Sequence, residues 1–202
     1  MRKILKALRR MPERLLHRWR RRAVTASLGR RPAPESVLVV CHGNICRSPY
    51  GEFVLRRLLA SRGTIVTSAG FVGPDRPSPP EAIEAARARG LDLTSHRSRL
   101  LTREMVSTAG LVVVMEAGQG RAIHEQFGRA RRDVLVLGDV DPAPIATRNI
   151  HDPYDQSLDV FSAVYERMDR CLDSFAAVLA AAPVGVPVSA SVGASVGART
   201  QA

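Results

Sequence analysis

One stretch of the chain places a thiol and a guanidinium at a spacing that suits phosphate chemistry. Cys41 directly follows the apolar run of residues 37–40, and Arg47 comes six positions later. Ser48 and Pro49 come next. A short, β-branched apolar run is typical of a buried strand, and Ser-Pro is typical of a helix start with Ser48 at the N-cap. The sequence therefore predicts a strand, a tight loop and a helix, with Cys41 at the base of the loop.

A loop of this kind can bind an anion. Backbone amides between Cys41 and Arg47 can point inward, and the following helix N-terminus adds partial positive charge. The planar fork of Arg47 suits two phosphate oxygens. These groups favour the thiolate of Cys41, which would then lie beneath a phosphoryl group as an in-line nucleophile. Gly43 and Asn44 tolerate the positive φ that a tight loop needs, and the Ser48 hydroxyl could donate to the thiolate.

A cysteine at the end of a buried strand is ordinarily an inert core residue. Here the loop spacing, the arginine and the strand-helix context coincide, which favours a functional site. Residues 41–49 read Cys-His-Gly-Asn-Ile-Cys-Arg-Ser-Pro and resemble the active-site loop of the low molecular weight protein tyrosine phosphatases. Further stretches resemble blocks of that family in the same order, over about residues 36–180. They are residues 67–70, 90–96, 111–116 and 152–154.

The resemblance implies an enzyme of the bacterial type that hydrolyses phosphotyrosine in proteins through a phosphocysteine intermediate. It implies no metal and no other cofactor. A bacterial tyrosine kinase is the partner that the family suggests. The resemblance also assigns phosphate binding to the loop residues His42, Gly43, Asn44, Ile45, Cys46, Arg47 and Ser48.

Breaking a phosphomonoester also requires a proton for the leaving oxygen. The long loop after the fourth predicted strand offers four acids, among which composition does not choose: Asp139, Asp141, Asp152 and Asp155. The resemblance chooses Asp152, because the general acid of the family is the Asp of an Asp-Pro-Tyr motif. It also implies that Tyr154 forms a wall for an aromatic substrate, with Phe71 as the aromatic residue after the second strand.

Supporting residues follow from the same resemblance. It implies that Ser48, Ser68 and His96 join Asn44 in a network that fixes the loop. It further implies that Cys46 can trap an oxidised Cys41 as a disulfide.

Other activities of the same fold stay open. The related arginine phosphatases carry a small polar residue at the position of Ile45, so Ile45 favours phosphotyrosine. Arsenate reduction needs a relay of further cysteines, and apart from Cys46 the chain offers Cys171, within a predicted helix. A non-enzymatic anion-binding module is a third alternative. An intact set of Cys41, Arg47, Ser48 and Asp152 disfavours it.

The positive charge of the chain is concentrated at one end. The formal net charge is +11, and residues 1–31 hold twelve Lys or Arg and one acid, so the remainder is balanced. This distribution argues against nucleic-acid binding by the globular part. Apolar residues of this segment recur at helical spacing, and Pro12 is expected to divide it into two helices. These apolar residues are Ile4, Leu8, Met11, Leu15 and Trp19.

We expect residues 1–31 to bind an anionic membrane surface. The alternatives are a solvated basic tail, a misassigned start codon and, in a eukaryotic source, a mitochondrial transit peptide. Three cysteines, two of them in one loop, indicate a reducing compartment. No stretch approaches the roughly 20 apolar residues of a membrane span. The sequence thus predicts a cytoplasmic protein, peripheral on the inner membrane face.

Four strand patterns alternate with helical ones. This order predicts an α/β fold, a four-stranded parallel sheet with helices on both faces, and the family fold that the chain resembles is flavodoxin-like. The predicted organisation is a basic extension and linker over residues 1–35, a phosphatase domain over 36–180 and a disordered tail over 181–202.

Overall fold

The computed structural model describes residues 2–183, with side chains from residue 16 onward. Most of the predicted tail lies outside these residues. The described strands are β1 (Ser36–Cys41), β2 (Ile65–Gly70), β3 (Leu111–Val114) and β4 (Val134–Val136). The described α-helices are α1 (Arg2–Gly29), α2 (Arg47–Leu58), α3 (Pro80–Arg87), α4 (Arg103–Thr108), α5 (Ala117–Phe127) and α6 (Leu158–Ala181).

The four strands form one parallel sheet in the order β2-β1-β3-β4. Alternate side chains of β1 face two different apolar clusters, which is why its apolar run is continuous. Val37 and Val39 join α2, α3 and α6 on one face, while Leu38 and Val40 join α4 and α5 on the other. The predicted four-stranded parallel sheet with helices on both faces is confirmed.

The strand order changes direction at β1, which has β2 on one side and β3 on the other. Cys41 ends β1 and is paired in register with Gly70 of β2, while Val40 is paired with Val114 of β3. Ligands of open α/β sheets bind beyond the carboxyl ends of the strands at such a switch point. The loops after β1, β2, β3 and β4 therefore meet around Cys41.

Two local predictions are wrong. Helix α2 begins at Arg47, and Ser48 lies in its first turn rather than at its N-cap, because tertiary partners engage the Ser48 hydroxyl. Helix α1 runs through Pro12 without a break. A proline removes the hydrogen bond of its own nitrogen, and the bonds of the flanking turns can hold the helix together.

The second half of α1 packs on the sheet domain. Leu28 is 8% exposed and belongs to the apolar cluster that also contains α2 and α6, with Val24 beside it. His17 is buried, and its Nε2 lies 2.9 Å from the carbonyl oxygen of Asp141. The amide of Ala33 donates to the carbonyl oxygen of Pro183 (3.1 Å). The boundaries at residues 35 and 180 stay predictions.

Replacing Leu28 by Ala should lower the free energy of unfolding by about 2 kcal/mol, because the change removes buried methyl groups where α1 meets the domain. Leu16→Ala is the matched control. Leu16 is 53% exposed on the same helix, so its loss should change stability by at most about 0.5 kcal/mol. Chemical denaturation of both variants measures the difference. Equal stabilities would show that α1 does not pack on the domain in solution.

Candidate active site

The loop after β1 surrounds the sulfur of Cys41 with hydrogen-bonding groups. The Ser48 Oγ lies 3.0 Å from Cys41 Sγ, and the backbone amide of Asn44 donates to the same sulfur at 3.3 Å. Cys41 is a free cysteine and is 2% exposed. Donors at this distance stabilise negative charge on the sulfur, so the loop suits a thiolate nucleophile.

Asn44 is the centre of a buried network that holds the loop. Its backbone adopts a left-handed φ of 51°, which Asn tolerates better than most residues. Its Nδ2 donates to Ser48 Oγ and to Ser68 Oγ, both at 2.8 Å. Its Oδ1 accepts from the amide of Arg99 (2.8 Å), and its carbonyl oxygen lies 2.7 Å from His96 Nε2. The structure thus brings together the four residues expected in a supporting network.

Behind this network lies a buried carboxylate that the sequence analysis did not identify. Ser68 Oγ donates to Glu52 Oε2 at 2.5 Å. Glu52 is 4% exposed, and Arg56 (2.6 Å) and Arg99 (3.5 Å) compensate its charge. The charged anchor fixes the direction of the Ser68 hydroxyl, so the Asn44 amide must donate to it.

Close backbone packing completes the loop. A Cβ on Gly70 would lie 2.7 Å from the Asn44 nitrogen and 2.9 Å from the Gly43 carbon, so only glycine lets the end of β2 approach the loop. Arg76, in the loop after β2, donates from Nη2 to the carbonyl oxygen of Gly43 (3.0 Å). That bond pairs the Gly43 carbonyl oxygen with a cation and ties the loop after β2 to the loop after β1.

Arg47 is buried and bound by two carboxylates. Its side chain is 1% exposed. Its Nη1 donates to Glu116 Oε1 (2.8 Å) and to the carbonyl oxygen of Ile150 (3.0 Å). Its Nη2 forms an ion pair with Asp152 Oδ2. Within the described residues, the Nε of Arg47 is buried without a hydrogen-bond partner. An unpaired buried N–H is rare and costly. This one is available to an oxygen of a bound anion.

Asp152 lies at the rim of the site. Its Oδ1 accepts from the amide of Tyr154 (3.3 Å), and its carbonyl oxygen accepts from Gln156 Nε2 (2.8 Å). Its side chain is 42% exposed, so solvent reaches the carboxylate. The other three acids of the loop lie elsewhere. Asp139 pairs with Arg148, Asp141 pairs with Arg167, and Asp155 is exposed.

A cavity of about 60 Å³ opens above Cys41. Tyr154, 57% exposed, forms part of its wall, and its role toward an aromatic substrate stays a prediction. Phe71 does not line this cavity and packs instead against the apolar cluster of β1 and α5. His42 is exposed and contributes its carbonyl oxygen to the amide of Phe71 (2.8 Å). The cavity is lined by Cys41, Gly43, Ile45, Cys46, Arg47, Arg76, Asp152 and Tyr154.

The second loop cysteine is held in the thiol form. Burial raises the pKa of Cys46, and the charge of Cys41 adds to this shift. Its carbonyl oxygen accepts from the hydroxyl of Tyr165 (3.0 Å), whose ring stacks on Tyr50 at 3.8 Å. The Cys41–Cys46 disulfide stays a prediction.

Glu116, Arg76 and Glu52 are the site residues that sequence reasoning missed. One signal could have found Glu116, because it is the first charged residue after β3 and so lies at the carboxyl edge of a strand beside β1. No comparable local signal marks Arg76 or Glu52. No group of His, Cys, Asp or Glu within the described residues could hold a metal ion.

The network generates a prediction for pH-dependent stability. Burial lowers the pKa of His96 below its ordinary value of 6.5, with the hydrogen bond to Asn44 opposing this shift. The unfolded chain therefore binds a proton at higher pH than the folded chain. Stability should be complete above pH 6.5 and fall as the pH drops below it, by at most about 1.4 kcal/mol per pH unit for one proton.

The measurement is the free energy of unfolding between pH 7.5 and 5 for wild type and His96→Gln. The variant keeps an N–H donor near the Asn44 carbonyl and should lose part of the pH slope. His151→Gln, at an exposed position, is the control and should keep the wild-type slope. A slope unchanged by His96→Gln would contradict the assignment.

Comparisons with known proteins agree with this geometry. The family model of low molecular weight phosphotyrosine protein phosphatase matches residues 36–184. The chain is 34% identical over 148 residues to the probable low molecular weight protein-tyrosine-phosphatase EpsP of Ralstonia nicotianae, covering 73% of this chain and 97% of that one. Residues 1–35 lie outside the family match.

Two solved structures are also similar. The tyrosine phosphatase Wzb from Escherichia coli K30, in complex with sulphate, is 33% identical with a TM-score of 0.66, covering 72% of this chain and 99% of that one. The YwlE arginine phosphatase from Geobacillus stearothermophilus is 26% identical with a TM-score of 0.65, covering 72% and 92%. The chain belongs to the low molecular weight phosphotyrosine protein phosphatase family.

Proposed function

We propose that the chain hydrolyses phosphotyrosine in protein substrates through a phosphocysteine intermediate. The observation that carries this proposal is the loop itself. Cys41 Sγ accepts a hydrogen bond from the Asn44 amide and lies beside the Ser48 hydroxyl. The buried Nε of Arg47 has no hydrogen-bond partner within the described residues. A phosphoryl group above Cys41 would supply the oxygen that this Nε needs.

In the first step the Cys41 thiolate attacks phosphorus, a sulfur–phosphorus bond forms, and the bond from phosphorus to the tyrosine oxygen breaks. Asp152 gives its proton to that oxygen, so the leaving group departs as a neutral phenol. Arg47 and the loop amides stabilise the charge on the phosphoryl oxygens. Glu116 fixes the position of the Arg47 guanidinium through its contact with Nη1.

In the second step water attacks the phosphocysteine, and Asp152 takes a proton from that water. The sulfur–phosphorus bond breaks, which releases inorganic phosphate and returns Cys41 to the thiolate. The Ser48 hydroxyl, 3.0 Å from the sulfur, stabilises the thiolate as it leaves.

The substrate class follows from the walls of the cavity. Tyr154 offers an exposed ring, and Ile45 offers a buried apolar side chain. Both suit an aromatic ring better than the charged guanidinium of phosphoarginine. Cys171 is buried in α6, which supports no relay for arsenate reduction. A bacterial tyrosine kinase is the proposed macromolecular substrate.

The test compares leaving groups. Asp152→Asn should lower kcat on a phosphotyrosine peptide by about 100-fold or more, and much less on an aryl phosphate whose phenol is already acidic, because that leaving group needs no proton. Cys41→Ser should abolish turnover of both substrates and retain phosphate binding. Assays of wild type with phosphoarginine and arsenate examine the two alternative reactions.

Asp155→Asn is the control for this series. Asp155 is exposed in the same loop and has a φ of 60°, which Asn tolerates, so the variant should keep wild-type rates on both substrates. A leaving-group dependence in Asp155→Asn and none in Asp152→Asn would reassign the general acid. Faster turnover of phosphoarginine than of phosphotyrosine would replace the proposed substrate.

We further propose that α1 binds anionic membrane surfaces and places the enzyme at the cytoplasmic face. Leu16 and Trp19 are 53% and 74% exposed, and their spacing puts them on one face of an Arg-rich helix. No helix among the described residues is long and apolar enough to cross a bilayer. Each basic residue near an anionic surface contributes about 1 kcal/mol to binding.

Vesicle cosedimentation tests this second proposal. The full chain should bind anionic vesicles and not neutral ones, and salt should release it. Leu16→Gln/Trp19→Gln should weaken binding by about tenfold through lost apolar burial. Leu58→Gln/Leu100→Gln, at exposed apolar positions outside α1, is the control. Equal binding by both double variants, or no binding by wild type, would remove the proposal.

A further inference from the structure

A cavity of about 480 Å³ lies between α1 and the loop that follows β4, separate from the residues around Cys41. One wall is the face of α1 that carries His17, Arg18, Arg21 and Arg22. His17 and Arg21 are four residues apart, as are Arg18 and Arg22, and Arg18 and Arg21 are three apart, so successive turns of α1 bring these side chains together. The opposite wall is residues 142–144, Pro-Ala-Pro.

Within the described residues, the arginines of this cavity lack the carboxylate partners that neighbouring arginines have. Arg20 approaches Asp139 (3.8 Å), and Arg31 pairs with Asp133 (3.2 Å). Among residues with described side chains, the guanidinium groups of Arg18 and Arg22 form no ion pair or hydrogen bond, although the carbonyl oxygen of Arg22 accepts from Thr25 Oγ1 (3.2 Å). Like charges four residues apart on a helix repel each other, so an anion between them would relieve that repulsion.

Arg21 adds a third guanidinium that lacks a carboxylate partner among the described side chains. Its Nε contacts the carbonyl oxygen of Val140 at 3.4 Å. Three guanidiniums on one wall form a recognition surface for an oxyanion, because each presents several N–H donors in a plane.

The opposite wall is held rigidly. The Asp141 carboxylate accepts from Arg167 Nε (3.0 Å) and from the amide of Ala143 (3.1 Å). Its carbonyl oxygen contacts His17 Nε2 at 2.9 Å. Two prolines restrict the backbone that follows. The cavity therefore exists before any ligand enters it.

His17 supplies an independent observation. It is 3% exposed and lines the cavity, and its Nδ1 is buried without a hydrogen-bond partner within the described residues. Because a carbonyl oxygen can only accept, Nε2 must carry a proton. Nδ1 then accepts a hydrogen bond when the ring is neutral, or donates one when the ring takes a second proton. A ligand that can itself give or take a proton suits this nitrogen.

We propose that this cavity is a second phosphate site, which binds inorganic phosphate or a phosphomonoester through Arg18, Arg21, Arg22 and His17. The charged oxygens accept from the guanidiniums, and one proton is shared between Nδ1 and a phosphate oxygen. Phosphate and its monoesters exchange their second proton near neutral pH, whereas sulfate and phosphodiesters have no such proton. The site therefore selects phosphate over sulfate, and monoesters over the diester headgroups of membrane lipids.

Equilibrium dialysis of the full chain against labelled phosphate tests the proposal. Wild type should bind two phosphates per chain, and Arg18→Gln/Arg22→Gln should bind the second one at least about tenfold more weakly, as expected for lost charged hydrogen bonds. Arg57→Gln/Arg87→Gln is the matched control, with the same change of charge at exposed positions. It should retain two sites.

The sequence has one tryptophan, Trp19, which lies next to Arg18 and can report the second site by fluorescence. Phosphate should give a saturable change, and sulfate or the soluble diester glycerophosphoglycerol at equal ionic strength should compete at least about tenfold more weakly. Inhibition of aryl phosphate hydrolysis by phosphate reports the site at Cys41 separately and should be equal in all variants.

Three results would overturn the proposal. They are equal numbers of bound phosphates with equal affinities in wild type and the Arg18→Gln/Arg22→Gln variant, no saturable Trp19 response to phosphate, and equal affinity for sulfate or the soluble diester. None of these results concerns catalysis at Cys41, so the second site and the proposed phosphatase activity are tested separately.

Discussion

The buried guanidinium of Arg47 requires negative partners, and the arrangement of three loops follows from that requirement. A buried charge that lacks a partner costs several kcal/mol, so the chain must bring carboxylates to it. Glu116 comes from the loop after β3, and Asp152 comes from the loop after β4. The carbonyl oxygen of Ile150 adds a third contact. One side chain at the start of α2 thus ties the loop of Cys41 to the loop of Asp152.

The position of the Cys41 thiol depends on a second constraint, which is that every polar group of a buried network has a hydrogen-bond partner. Asn44 uses its amide nitrogen, both polar side-chain atoms and its carbonyl oxygen, and together these reach β1, α2, β2 and the loop between α3 and α4. The network ends at the Glu52 carboxylate, whose charge fixes the direction of the chain of donors. A buried network of this kind is stable when every member is paired, and it then holds one geometry. Cys41 and Ser48 are consequently positioned before a substrate binds.

The basic N-terminal segment is less separate from the domain than its charge suggests. Its excess charge led us to treat residues 1–35 as an extension, yet His17, Arg20 and Leu28 contact the domain, and Arg31 pairs with Asp133. Three of its arginines face a cavity and have no carboxylate partner among the described side chains, while Leu16 and Trp19 are exposed. Helix α1 therefore has three different parts to its surface. One face packs on the domain, one lines the cavity, and one carries the exposed apolar pair. The distribution of charge along the sequence does not predict these three faces, because it does not show on which side of a helix each residue lies.

By itself the sequence determined the features that depend on neighbouring residues. The apolar run before Cys41, the loop spacing to Arg47 and the alternation of strands and helices are local patterns, and they predicted the parallel sheet and the place of the nucleophile. The tertiary structure alone decided that Glu116 binds Arg47, that Glu52 anchors Ser68, and that Phe71 packs into the apolar cluster instead of the cavity. It also moved Ser48 from the N-cap into the first turn of α2. The physical reason is that these contacts join residues distant in the chain, so they depend on strand order and side-chain direction, which a local pattern does not encode.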